Sequence, residues 1–186
     1  DSLAIAAAMV GRFDLNVSGP AEESYWLLAH PALLPELSAL ETAPPAEPIA
    51  SAPLPDTGYY VSRSSAGDHL VIDAGPHGYQ NAGHAHADAL SLPLSVRGVP
   101  LLIDTGTGCY TVDALLRDRL RSTSAHNTLV LDDHSQSTPG GPFHWRDVAH
   151  GAAHSWRANP GFDYLEASHD GYRPAVHRRH LLALHG

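Results

Sequence analysis

Apolar and polar positions alternate with two different periods along the chain. Residues 2–10, SLAIAAAMV, are Ala-rich and predict a helix that stops before Gly11. Residues 20–29, PAEESYWLLA, predict a second: Pro20 suits a first helical turn, acids follow it, and His30-Pro31 closes it. A shorter helical stretch is expected from Pro31 to Leu40. Residues 43–55, APPAEPIASAPLP, are rich in proline, which holds a linker extended. After the linker the period falls to two. Tyr59–Arg63 and His69–Ala74 read as strands around the turn Ser65-Ala66-Gly67-Asp68. Leu90–Val96 alternates up to a turn at Arg97-Gly98, with Pro93 marking an edge or bulge. Val99–Asp104 follows as a buried strand, and residues 111–121 interrupt with a short helix. Further strands are expected at 127–131, 153–158, 162–169 and 176–184.

Many short strands with turn signals and little helix predict an antiparallel β-sandwich or jelly roll over residues 57–186. The helices of residues 1–42 are too few to enclose a core of their own. They are expected to be the last helices of a preceding helical domain, packed on the side of the sandwich. No signal-peptide pattern opens the chain, so it is expected to begin inside a longer protein and to be truncated at its C-terminus as well.

Composition sharpens this division. The chain has 186 residues and a formal net charge of −9, with one Arg against eight acids in residues 1–56 and ten Arg against twelve acids beyond. All its basic residues are Arg, and with a pI near 5.8 there is no basic footprint for nucleic acid. No apolar run reaches the roughly 18 residues of a membrane span. A single cysteine, Cys109, excludes an intramolecular disulfide framework and a Cys-rich zinc module. Histidine is the extreme value, with 14 residues, all but His30 beyond the linker. Imidazole is the commonest metal ligand and titrates near neutrality, so the chemistry is sought there.

The strongest local signal is Gly83-His84-Ala85-His86-Ala87-Asp88. On a strand, alternate residues share a face, so both imidazoles and the carboxylate would point the same way. HxH is a common way for a β-scaffold to offer metal ligands, although two solvent-facing histidines would give the same pattern. Asp104 ends the apolar stretch VPLLID, where a carboxylate is costly to bury unless paired or bound to a cation. His126-Asn127 follows Arg117, Arg119 and Arg121. Two His and one Asp make a zinc set that leaves a position open. A turn Asp before Gly106 and a capping His would look the same singly. Asp132-Asp133, adjacent in sequence, make a poor hydrolase pair because neighbouring side chains on a strand face opposite ways.

Part of this pattern fits a cupin: Gly78, then His84-Ala85-His86, then Gly98. The acidic ligand expected soon after HxH is absent, with Leu90 and Ser91 in its place, and no PxG precedes His126. A non-catalytic alternative is a carbohydrate-binding sandwich using Tyr59, Tyr60, Trp145, Trp156 and Tyr164 as stacking platforms. Ordinary core packing is the competing account of those aromatics.

Taken together, GHAHADALSLPLSVRGVPLLIDTGTGCY and RLRSTSAHNTLVLDD resemble the heparinase II/III-like family of polysaccharide lyases. The elements GHxHxD, a Ser-containing strand, GxPLLxDxG and RxTxAHNT occur here in that order, and VHRRHLLAL fits a later strand. The resemblance covers roughly residues 57–186. It implies an α/α-toroid before the sandwich, with residues 1–42 as its end. It implies Zn²⁺ bound by His86, Asp104 and His126, and His84 as the active-site histidine facing substrate. Arg121 and Asn127 belong to the motif around the third ligand, and Tyr110 is placed at the cleft, so these three are substrate-binding candidates. The implied reaction is β-elimination on a uronic-acid polysaccharide, by a periplasmic or secreted enzyme. The family's catalytic Tyr and a carboxylate-neutralising Asn or His lie in the toroid and have no counterpart in residues 1–56. The chain is therefore expected to hold half of an active site and to be inactive alone.

Overall fold

The protein is described by a computed structural model covering residues 2–12, 22–28, 35, 38–39 and 50–186. It divides into two compact units, residues 1–49 and 50–186. In the first, α1 (Ser2–Val10) and α2 (Glu22–Leu28) match the two predicted helices. Ala4, Ala7 and Ala8 are buried on α1, the i, i+3, i+4 spacing of one helical face. Glu22 accepts a hydrogen bond from the Trp26 indole one turn on, at 3.1 Å. Most of the helix expected at 31–40, and linker residues 43–49, lie outside the described residues.

The second unit is mainly antiparallel β-structure. One sheet has five strands in sequential order: β1 (Ala52–Leu54), β2 (Tyr59–Arg63), β3 (His69–Asp73), β4 (Leu94–Val96) and β5 (Val99–Leu102). A second has three: β8 (Gly151–Asn159), β9 (Phe162–Tyr172) and β10 (Ala175–Leu184), with β9 central. A hairpin, β6 (Thr138–Gly141) and β7 (His144–Asp147), stands apart. Period-two alternation produces the sandwich core. Tyr60, Leu70 and Ile72 of the first sheet meet Leu165 and Ala167 of β9, and Leu90 closes one end. Tyr60 and Trp156 touch across the sheets, ring centroids 5.5 Å apart. Each fully buried Ile or Leu here contributes about 1.5–3 kcal/mol.

β9 also turns a charge inward. Asp163 is fully buried, and its Oδ2 accepts from Ser51 Oγ at 2.5 Å, Ser62 Oγ at 2.6 Å and His185 Nε2 at 3.0 Å. Those bonds tie the segment before β1, and β2, to the opposite sheet. Just before β2 and just after β3 the chain passes itself, at Gly58 and Gly75. Gly58 has φ +81°, and a Cβ there would lie 2.0 Å from the Gly75 Cα, so only glycine allows this approach.

Several expected strands are shorter or absent. The end of the Pro-rich linker is itself a strand, β1, paired with β2. Within 90–96 only Leu94–Val96 is a strand, and Leu90 at the start of the stretch takes a positive φ of 62°. The Val71 N–H still bonds the Pro93 carbonyl, and the register shifts between Leu94 and Ser95, the irregularity expected beside a proline. Arg97-Gly98 forms a tight β4–β5 turn with both φ values positive, at 50° and 78°. β5, expected to be buried, is exposed along its length, because it lies at the edge of the sheet and no described element covers it. Residues 127–131 make no strand: Asn127 and Thr128 spend their side chains on neighbouring loops, and Leu131 forms only an isolated bridge to His134. Asp132 and Asp133 sit in that turn with positive φ, not on a strand end. The short helix is α3 (Ala114–Leu120), capped by Asp113, which accepts from the Leu116 N–H at 2.9 Å.

Candidate metal centre and cleft

Three loops meet at one end of the sandwich. The first, residues 83–90, carries both histidines of the HxH pair and is not a strand, contrary to expectation. Its shape comes from longer-range bonds: the Ala87 N–H donates to the Arg121 carbonyl at 2.8 Å, and the Leu90 N–H to the Asp73 carbonyl at 2.6 Å. The second follows β5 and carries Asp104, whose Oδ1 accepts from the Gly106 N–H at 2.8 Å. The third is the single 3-10 turn Thr123–Ala125, which delivers His126. The Asn127 amide donates to the Ile103 carbonyl at 2.9 Å, fastening the third loop to the second.

This convergence brings His86, Asp104 and His126 together, with one potential ligand atom from each all within 4.8 Å of one another. His126 Nδ1 and Asp104 Oδ2 are 2.6 Å apart, and the His126 side chain is wholly buried with its Nε2 unpartnered. Burial, chiefly, with His126 and Arg117 nearby, lowers His86 to about 4, so its imidazole is neutral with a lone pair to offer. Asp104 is held below the usual carboxylate range: the Gly106 N–H and His126 outweigh its partial burial. The neutral His86 imidazole, the ionised Asp104 carboxylate and the unpartnered buried Nε2 of His126 form a donor set that fits a divalent ion of the zinc type.

A cleft of about 500 Å³ adjoins this centre, with Tyr59, Asp73, Tyr79, His84, His86 and Asp88 among its lining residues. His84 is exposed there. Its ring meets Tyr110 edge-on, centroids 5.5 Å apart, and Phe143 at 5.7 Å. Tyr110 stacks on Phe143 and lies over the Arg117 guanidinium, 5.0 Å from ring centroid to cation. Arg117 is fully buried and donates to the carbonyls of Gly83 and Pro142, each at 3.4 Å. Arg121 is also fully buried. Its guanidinium bonds Asp118, Gly141 O and Pro142 O and packs on the Trp145 ring at 4.7 Å, which places it beneath the hairpin rather than at the cleft surface.

Beside Asp88 of the His84–Asp88 segment, the cleft also holds Asp73, a carboxyl that the sequence pattern did not single out. Burial, with the Asp88 carboxylate adding to it, pushes Asp73 up to about 7. Asp88 is raised as well, by burial. Asp73 ends the apolar strand HLVID as Asp104 ends VPLLID, so the same signal could have found it. Phe143 was missed because the Pro- and Gly-rich segment 138–147 does not read as a hairpin. The aromatic platforms of the binding-module alternative are dispersed: Tyr60 and Trp156 are in the core, and buried Trp145 donates to the Ala82 carbonyl at 2.9 Å.

Comparison with known proteins supplies the family. No curated protein sequence matches the chain. Among solved structures, heparan sulfate lyase HepC from Pedobacter heparinus is 22% identical with a TM-score of 0.63, covering 97% of this chain and 26% of its own. A heparinase III gene product is 20% identical with a TM-score of 0.62, covering 95% and 25%. A further heparinase III structure is 16% identical with a TM-score of 0.62, covering 96% and 32%. At these identities the likeness establishes the fold, and the chain spans about a quarter to a third of the length of those proteins. The cupin alternative is set aside by the fold match and by a family model. That model, for the heparinase II/III-like C-terminal domain, matches residues 46–186, and the chain therefore belongs to the heparinase II/III-like family.

Proposed function

We propose that this chain is the sandwich portion of a polysaccharide lyase that cleaves a uronic-acid polymer by β-elimination. The observation that carries the reading is the arrangement of one loop. His86 turns into a three-residue metal centre while His84, two residues earlier, stands exposed in the adjoining cleft. Residues 1–42 are then the last helices of a helical toroid, and residues 43–56 the linker into the sandwich. The enzyme is periplasmic or secreted. Among the described residues no helix is long and apolar enough to cross a membrane.

The C5 proton of a uronate is weakly acidic until the adjacent carboxylate is neutralised by hydrogen bonding. A base then takes that proton, the C4–O bond breaks as the C4=C5 double bond forms, and an acid protonates the departing oxygen. His84 is the base or the carboxylate-neutralising group, with Tyr110 and Phe143 fixing its ring. Raised to about 7, the Asp73 carboxyl is only partly ionised near neutrality, so this wall faces an acidic polymer with less repulsion. Arg121 and Asn127 serve by holding the hairpin and the Asp104 loop. The toroid supplies the catalytic Tyr and the remaining carboxylate-binding group, so residues 1–186 alone are inactive. His86, Asp104 and His126 would hold Zn²⁺, which would supply a fixed cross-link between the three loops, and no step requires it to activate water.

The test uses the complete enzyme on a panel of uronate polymers, following absorbance of the unsaturated uronate product. His84→Ala is expected to lose about 10²–10⁴-fold in rate and keep its metal. His86→Ala is expected to lose both. Full activity in His84→Ala, or no unsaturated product from any polymer with the wild type, overturns the reading.

A further inference from the structure

The loop that carries the HxH pair has no strand ladder to hold it, and Gln136 supplies much of what replaces one. Gln136 lies just before the hairpin and is 1% exposed. Its side-chain amide donates to the Ala87 carbonyl at 2.7 Å and to the Ala89 carbonyl at 3.3 Å. Its backbone N–H donates to Thr123 Oγ1 at 2.9 Å, and the Thr123 hydroxyl in turn donates to the same Ala87 carbonyl at 2.8 Å. Thr123, fully buried, opens the 3-10 turn that delivers His126. The Thr123 N–H is held by Ser135 Oγ at 2.9 Å. One residue therefore grips the loop behind His86 through its side chain and the turn before His126 through its backbone.

The chemistry fixes the orientation of the amide. Rotating it would set Oε1 against two carbonyl oxygens, so the NH₂ group must face them. That leaves Gln136 Oε1 buried without a partner. An unsatisfied buried acceptor is ordinarily disfavoured. Here it accompanies a donor that reaches two carbonyls of one ligand-bearing loop.

We infer that Gln136 is a positioning residue for the metal centre: with Thr123 it sets the distance and angle between His86 and His126. This rests on the proposed reading of His86, Asp104 and His126 as a metal site. Groups that orient metal ligands typically change affinity by about 10–100-fold when removed.

The experiment measures Co²⁺ and Zn²⁺ affinity of the full chain, with the visible absorption of bound Co²⁺ reporting ligand geometry. Gln136→Met keeps the bulk and removes both donors. Its Co²⁺ affinity is expected to fall about 10–100-fold with an altered spectrum. Leu70→Ala, a core truncation at the far end of β3, provides the comparison. It should lower the melting temperature while leaving affinity and spectrum as in the wild type. Should Gln136→Met fail to fold, Thr123→Val, which deletes only the shared hydroxyl, is expected to show the same loss in milder form. Wild-type affinity and spectrum in whichever of these variants folds overturns the inference while the metal reading stands. So does a loss that Leu70→Ala reproduces. If the wild type binds neither ion, the metal reading fails and the inference falls with it.

Discussion

Asp73→Asn separates burial from function in the cleft wall. Burial and the neighbouring Asp88 push the Asp73 carboxyl up to about 7, against an ordinary value of 3.8, while the Gly75 N–H, bonded to Oδ1 at 3.1 Å, pulls the other way. The folded state thus holds a proton that the unfolded chain releases above pH 4. Any stability tied to that proton is complete below about pH 4 and is lost as pH rises through 7. A shift of three units at about 1.4 kcal/mol each sets an upper bound of roughly 4 kcal/mol. The cleft is open to water, so roughly 1–3 kcal/mol is the expected size. Asparagine keeps an Oδ1 for the Gly75 N–H and has no proton to lose. At pH 8 the variant should melt roughly 2–10 °C above the wild type, and at pH 4 the two should nearly coincide. The assay is thermal or urea unfolding of both proteins at pH 4, 6 and 8. A difference that does not change with pH, or a wild type more stable than the variant at pH 8, would refute the argument.

Metal removal should lower the melting temperature, by about 2.7 kcal/mol of stability relative to protein held at a hundredfold excess over the dissociation constant, and Zn²⁺ should restore it. An unchanged melting temperature after chelation would tell against the centre. His169 gives a pH effect of opposite sign to Asp73. It is 1% exposed, its Nδ1 accepts from the Gly171 N–H at 3.1 Å, and its Nε2 therefore donates to His177 Nδ1 at 2.9 Å. Burial, first, with His177 and Arg179 outweighing Asp170, lowers it to about 4, and the Tyr172 ring lies beside it. It is neutral in the fold, so its contribution is complete above pH 6.5 and is lost as pH falls toward 4. Wild type should lose stability relative to His169→Gln over that window, on the order of 1 kcal/mol per pH unit, and parallel pH curves would exclude this.

What was legible in the sequence follows from where the signal is local. β2, β3 and β9 alternate because each buries one face, β10 alternates between half-buried and exposed positions, and Ser2–Val10 and Glu22–Leu28 read as helices from composition and caps. His86, Asp104 and His126 were legible as candidate ligands through the family motifs, and the three side chains do converge. The HxH segment was misread as a strand because its alternation of His and Ala mimics period two. Its conformation is set instead by contacts from residues 121, 123 and 136, which no local pattern reveals. β5 was misread as buried because VPLLID is apolar, yet it is the last strand of its sheet and exposed. Arg121 was a substrate-binding candidate through the motif around His126, whereas Asp118 and two carbonyls hold its guanidinium in the interior.

The same physics explains why a lyase of the proposed kind would place a metal in loops. Elimination needs a base and a carboxylate-neutralising group aligned with one C–H bond, so misplacement of His84 by an ångström matters more than its intrinsic basicity. A strand would hold His84 through its own ladder. A loop exposes it and leaves its position to other bonds. Here those bonds are the Arg117 donation to the Gly83 carbonyl, directly before His84, and the grip of Gln136 and Thr123 on Ala87, directly after His86. The His86–Asp104–His126 centre lies between these two anchors. With both ends of the segment held from buried residues, an ion joining its middle to two other loops would remove the remaining freedom. That is a positional role, and the elimination chemistry asks for no other.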